Sequence, residues 1–242
     1  VPHQSALTRK LLTFVALSDL DIETLARFFQ RRRSFLAGHE MIYQGEKDAS
    51  AFILASGWAY SYKLLASGER QIVDFQVPGD FLGLRSILFR TSDHNIEAIT
   101  RIEASEVLAS DILDAFSHAP RLATAILWAA SRDEAMVVEH LVNLGRRSAE
   151  ERVAHLFLEL GTRLKLVGLD DENGFDCPLT QYHLADALGL SAVHVNRVLR
   201  NLREDGLVTF QKARVVFHDF EGLKALSGFD TGYLDQDGPL LR

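Results

Sequence analysis

The chain has 242 residues, 47% hydrophobic and 24% charged, an ordinary balance for one large or two small globular domains. No apolar run is long enough to span a bilayer, and one cysteine, Cys177, excludes a disulfide framework or a multi-cysteine metal or iron–sulfur site within these residues. A net charge of −7 counts against nucleic-acid binding unless the basic residues are gathered in one place.

Residues 7–29 read as short helices, with Leu11, Leu12, Phe14, Leu17 and Leu20 followed by Leu25 and Phe28. No basic-then-apolar export pattern precedes them, so the expected location is the cytoplasm. From Arg31 to about Asp111 glycines recur at Gly38, Gly45, Gly57, Gly68, Gly79 and Gly83, between β-prone runs at 51–54, 58–64 and 71–77. That spacing predicts an antiparallel β-roll or barrel, with a hairpin turn at Ser67 and Gly68. From Pro120 to Gly145 the period becomes helical. Ala123, Leu127, Ala130, Val137, Leu141 and Leu144 form a heptad seam that Glu134 interrupts. Such a seam suits pairing with a second copy, although an ordinary packed helix also satisfies three heptads.

Arg146 and Arg147 mark a break. Ser148-Ala-Glu-Glu151 is a capping-box pattern that starts a helix over 149–164, and 167–176 reads as a polar loop. Beyond it, two short helical patterns are split by Gly189 and restarted by Ser191. Thr180 caps the first, where Leu184, Ala185 and Leu188 share a face. In the second, Val195, Val198, Leu199 and Leu202 face inward, while Ala192, Val193, Asn196, Arg197, Arg200 and Asn201 face outward. Runs 206–210 and 213–217 alternate as strands, with Gln211 and Lys212 at the tip between them. Helix, turn, helix and basic-tipped hairpin make a winged helix-turn-helix. The charge supports it: Arg197, Arg200, Arg203, Lys212 and Arg214 stand against Glu204 and Asp205, and the acidic surplus lies elsewhere. A short helix over 220–226 follows, and the tail after Phe229 is expected to be poorly anchored.

The expected fold class is therefore α+β: an N-terminal roll, a long dimerisation helix and a C-terminal winged helix. This order of parts resembles the catabolite-activator and fumarate–nitrate regulator family over nearly the whole chain. The residues that carry the resemblance are Arg152-Val-Ala, Leu179-Thr-Gln, Leu184-Ala-Asp-Ala-Leu-Gly-Leu-Ser191, Val195-Asn-Arg-Val-Leu199 and Pro78-Gly-Asp-Phe-Leu-Gly83. It implies an effector domain over 1–118, a dimer helix over 119–146 and a DNA-binding domain over 147–242. It also implies a homodimeric transcription regulator with double-stranded DNA and RNA polymerase as partners, no membrane and no catalysis. The rival expectation is a cyclic-nucleotide-sensing regulatory subunit that works through a protein partner.

On the DNA face the resemblance points to Thr180, Gln181, Tyr182, Ser191, Ala192, Val193, His194, Asn196, Arg197, Arg200 and Lys212. Arg197 matches the family's guanine-reading arginine. Val193 stands where the family has Glu, and Asn196 replaces Ser or Gly, so a different half-site is expected. Arg200, Arg203, Lys212 and Arg214 are candidate phosphate neutralisers. The effector pocket falls at Gly83, Leu84, Arg85, Ser86, His94 and Asn95. Leu84 stands at the position of the family's ribose-binding Glu, and the Arg-Ser pair for a cyclic phosphate is missing. Arg85, Arg90 and Arg101 are the nearby cations. The contacts expected for cyclic AMP and the cysteines for an iron–sulfur cluster are thus absent, the effector is left open, and the scattered histidines predict no metal. Cys177 reads either as an oxidisable thiol near the DNA-binding helices or as a small buried hydrophobe.

Overall fold

The computed structural model describes residues 5–47, 50–89 and 91–234; Arg90 and the tail beyond Leu234 lie outside it. The chain divides into two compact units. One holds the described residues up to Lys63 and from Asp74 to Glu134, the other Leu64–Val73 and Ala135–Leu234.

The first unit opens with α1 (Ala6–Phe14) and α2 (Asp19–Phe28). Ser18 and Asp21 close a reciprocal capping box on α2. Strands β1 (Arg32–Phe35), β2 (Glu40–Ile42), β3 (Ala51–Ser56), β4 (Ala59–Leu64), β5 (Arg70–Gln76) and β6 (Phe81–Leu82) follow, the stretch Leu64–Val73 at the β4–β5 tip belonging to the second unit. Then come α3 (Leu84–Leu88), β7 (Asn95–Ala98), β8 (Ile102–Val107) and α4 (Ala109–His118). The strands form two four-stranded sheets in the orders β1-β8-β3-β6 and β2-β7-β4-β5, with antiparallel pairings. Phe52, Leu54, Ile42, Leu82, Ile96 and Ile102 fill the roll between them. Asp80, in the Pro-Gly-Asp run, is structural: it is buried, pairs with buried Lys10 at 2.8 Å and accepts from the Val77 amide. A second core joins α1, α2 and α4 to the start of α5 (Pro120–Arg146), where Phe14 stacks on Trp128 at 4.8 Å. Pro120 suits the first turn of α5, where its missing N–H costs nothing.

In the second unit Arg147 and Ser148 separate α5 from α6 (Ala149–Leu166), and Ser148 and Glu151 make the expected capping box. There follow β9 (Gly174–Asp176), α7 (Gln181–Leu188), α8 (Ala192–Glu204), β10 (Val208–Gln211), β11 (Arg214–Phe217) and α9 (Phe220–Ser227). The expected 167–176 loop is corrected in part, because its last three residues form a strand on β11 in a sheet ordered β10-β11-β9. Three residues are too few to show a period. What places them is buried Phe175, and Gly174, whose missing Cβ lets the Val215 carbonyl approach.

The expectation of a loose tail after Phe229 also fails as far as Leu234. Phe229 and Leu234 are buried, and the Tyr233 hydroxyl donates to Glu159 at 2.8 Å. This segment covers a polar core between the end of α5 and α6. There His140 faces Glu159 at 3.0 Å, Asn143 bonds His155 at 3.1 Å, and Arg147 pairs with Glu139 at 2.6 Å. The rings of Phe229 and Tyr233 lie against that of His155.

Candidate nucleic-acid interface

The helix-turn-helix is built by local chemistry. Thr180 caps α7 through its hydroxyl, which accepts from the His183 amide at 3.2 Å, while the Thr180 amide donates to His183 Nδ1 at 3.1 Å. Gly189 ends α7 with φ 64°, a left-handed conformation that a side chain resists. Ser191 then caps α8, accepting from the His194 amide at 3.2 Å. Val195, Val198, Leu199 and Leu202 are buried, so the opposite side of α8 is presented outward.

On that side Val193 is 82% exposed, and Asn196, Arg197, Arg200 and Arg203 are exposed with it. Ala192 and His194 are half-buried at the helix start. Tyr182 is 71% exposed at the N-terminal end of α7, beside half-buried Gln181. The Asn196 amide donates to Gln181 Oε1 at 3.4 Å, which joins the two helices at the face where the expected base contacts lie. Asn201 does not belong to this face: it is half-buried and donates to Glu150 on α6 at 2.9 Å.

The wing ends in a two-residue turn whose central residues, Lys212 (φ 52°) and Ala213 (φ 56°), are both left-handed. That geometry matches the twist of a tight hairpin, although neither residue favours it. Lys212 is exposed there. Arg214 is not free to neutralise a phosphate as expected, because it pairs with Asp176 at 3.1 Å and with Asp171. Sequence reading missed this because Asp171 and Asp176 meet Arg214 only through the β9–β11 pairing.

In the roll, Gly83 takes φ 68° at the start of α3. Arg85 is exposed and lies 3.4 Å from the ring of buried His94. Ser86 bonds Ser92, which donates to the His94 carbonyl at 2.8 Å. Asp93 faces His94 at 2.7 Å, Arg85 at 3.6 Å and Lys63 at 3.5 Å. Burial raises the Asp93 pKa, but the His94 hydrogen bond and these cations outweigh it and hold the carboxyl below its ordinary value. Burial lowers that of His94. The expected pocket residues are therefore brought together, except that Leu84 offers no polar group and Asn95 is occupied by the Gln44 amide at 2.8 Å.

Residues 32–119 match the family model described as a cyclic nucleotide-binding domain, and residues 151–226 match that of the Crp-like helix-turn-helix domain. The nitrogen fixation regulation protein FixK of Bradyrhizobium diazoefficiens is 30% identical over 89% of this chain and 90% of its own. The chain belongs to the Crp/Fnr family. The transcriptional activator FnrL of Cereibacter sphaeroides is 28% identical over 87% of each chain. The solved structure of FixK2 from Bradyrhizobium japonicum superposes with a TM-score of 0.74 at 27% identity, covering 82% of this chain and 98% of that one. Like its Crp/Fnr relatives, the protein is a DNA-binding transcription regulator of mixed α+β fold. The rival reading as a regulatory subunit is not favoured. No helix among the described residues is long and apolar enough to cross a membrane.

The roll of a Crp/Fnr protein raises the question of a cyclic nucleotide, and the described residues here do not fit one. Leu84 cannot accept from a ribose hydroxyl. Of the expected cations, Arg85 faces the Asp93 carboxylate, as does Lys63, and Arg101 faces Glu103, so acidic groups that would repel a phosphate stand beside them. Cys177 is fully buried, and burial pushes its thiol pKa up to about 12. A thiol so enclosed packs as a small hydrophobe in the second unit.

Proposed function

We propose that the chain acts as a homodimer that reads a palindromic DNA site with one α8 from each copy. The effector domain would be 1–118, the dimer helix 119–146 and the reading head 147–242. The observation that carries this reading is the outward face of α8. Val193, Asn196, Arg197 and Arg200 are exposed together on a helix whose other side is buried and whose start is capped. Arg197 is assigned to a guanine edge, Asn196 to adenine and Val193 to a thymine methyl. Thr180, Gln181, Tyr182, Ser191, Ala192, His194 and Lys212 would line the backbone path around them. The Asn196–Gln181 bond adds a positioning role for Gln181.

The dimer is supported by a stripe on α5 that its own chain leaves uncovered: Leu127, Val137, Val138, Leu141 and Val142 are all exposed. Ala123, expected in the seam, is instead buried within its own chain. The seam therefore starts at Leu127 and continues through half-buried Ala130 and Leu144. Two heads on one symmetric dimer suit half-sites about 34 Å apart. The protein would work in the cytoplasm, without catalysis, by an activating contact with RNA polymerase, in keeping with the name of FnrL as a transcriptional activator.

Selection from random-sequence DNA tests the reading. The chosen duplex is expected to be a palindrome with a guanine at the Arg197 position, differing from half-sites read by a Glu at the Val193 position. Arg197→Ala should lower affinity and abolish discrimination at that guanine, by about 1–3 kcal/mol per half-site. Discrimination that survives Arg197→Ala would refute the assignment.

A further inference from the structure

The C-terminal end of α7 is held from outside the helix-turn-helix. Three consecutive residues are engaged there. The Asp186 carboxylate accepts from Arg70 Nε at 2.8 Å and faces Arg70 Nη2 at 2.7 Å. The Ala187 carbonyl accepts from Gln71 Nε2 at 3.2 Å, and the Leu188 carbonyl accepts from Arg152 Nη1 at 2.9 Å. Arg152 belongs to α6 and is itself fixed by donating to the Arg147 carbonyl at 2.9 Å. Arg70 and Gln71 come from the beginning of β5, at the tip of the β4–β5 hairpin.

α7 has a chemical need for these groups. The last carbonyls of a helix lack intrahelical partners and gather partial negative charge, and α7 carries no basic residue in its last turn. Gly189 and Leu190 both donate to the Ala185 carbonyl, which leaves those of Ala187 and Leu188 to partners from elsewhere. Arg70 and Asp186 are 28% and 31% exposed in their side chains, so water screens their pairing only in part. The hairpin tip, Leu64–Val73, falls in the same compact unit as the winged helix, and by chain continuity it leads into the strands of the roll sheet.

We propose that Arg70 and Gln71 are positioning residues for DNA reading. They fix the end of α7, and so the Gly189 turn and the start of α8, in the orientation in which the two helices meet DNA. The hairpin tip thereby braces the reading head from within its own compact unit. The proposal rests on the assignment of α7 and α8 as the DNA-reading pair.

The test uses the full-length protein and a duplex selected from random DNA by the unsubstituted protein. Arg70→Ala and Asp186→Ala are each expected to weaken binding about fivefold or more, in the range of coupling between linked sites. Combining them should cost no more than either alone, and the reversed pair, Arg70→Asp with Asp186→Arg, should recover most of the loss. The salt dependence of binding should not change, since Arg70 touches no phosphate in this scheme. In the free protein, Arg70→Ala should speed hydrogen exchange at the amides of 184–190 while circular dichroism stays that of the parent. Gln71→Ala, a milder change, should act in the same direction if Arg70→Ala proves poorly folded. Unchanged affinity, additive losses, or a salt slope reduced by about one phosphate in Arg70→Ala would each overturn the proposal. If the unsubstituted protein selects no duplex, the assignment of the DNA-reading face fails instead, and hydrogen exchange still decides whether the hairpin holds α7.

Discussion

Replacing Tyr233 by Phe removes one oxygen and tests why an acid is buried in α6. Glu159 is fully enclosed. His140 Nε2 lies 3.0 and 3.1 Å from its two oxygens, Arg163 Nη1 lies at 3.5 Å, and the Tyr233 hydroxyl donates at 2.8 Å. Burial alone would raise its pKa. The charge and hydrogen bond of His140, the charge of Arg163 and the Tyr233 hydroxyl overcome that and bring it to about 2. Because the folded value is depressed, the unfolded chain takes up the proton first as pH falls. The stabilisation is complete above the ordinary value of 4.5 and is lost progressively towards 2, an effect on the order of 3 kcal/mol. His155 acts in the same direction at higher pH. Burial lowers it to about 4, so stability declines as the unfolded imidazole charges below 6.5.

A hydrogen bond to a buried ionised group is worth roughly 1.5–3 kcal/mol. Tyr233→Phe should therefore lower the Tm at neutral pH by about 3–12 °C. It should also make the acid loss below pH 4.5 shallower, because the folded Glu159 pKa rises towards its unfolded value and less stabilisation remains to be lost. Thermal melts followed by circular dichroism at about pH 7.5, 5, 4 and 3 measure both effects. An unchanged Tm would refute the reasoning. So would a lower Tm with an acid limb as steep as the parent's, since the hydroxyl would then not be serving an ionised Glu159.

Glu134 is exposed on the α5 stripe between Leu127 and Val137, so a parallel dimer would bring two carboxylates together. Glu134→Leu should tighten the dimer about tenfold or more in sedimentation equilibrium, and equal or weaker association would count against the α5 seam. Ala213→Gly should stabilise the wing by about 1 kcal/mol, since Ala213 sits at φ 56°; urea denaturation that shows a loss would contradict the strain. Cyclic AMP at millimolar concentration should leave the melting temperature of the unsubstituted protein unmoved. A saturable rise would show that Asp93 yields its cations to a phosphate.

Much of the reading head was legible in the residue order because its determinants are local. Thr180, Gly189 and Ser191 set helix ends within a few residues of themselves, and the 3.6-residue period alone separates Val195, Val198, Leu199 and Leu202 from Arg197 and Arg200. The recurrent glycines of the roll and the capping box at Ser148 are signals of the same kind. Asp93, one residue before the expected His94, escaped notice because only folding sets it against Arg85 and Lys63.

What tertiary structure decided are the pairings between residues distant along the chain. Arg214 looked available for a phosphate until β9 brought Asp171 and Asp176 to it. The tail looked loose until Tyr233 met Glu159, 74 residues earlier, and the Arg70–Asp186 pair spans 116. Periodicity and capping report how a segment prefers to fold by itself. Which distant charges satisfy one another depends on the packing of all the segments together, and no short stretch of sequence contains that information.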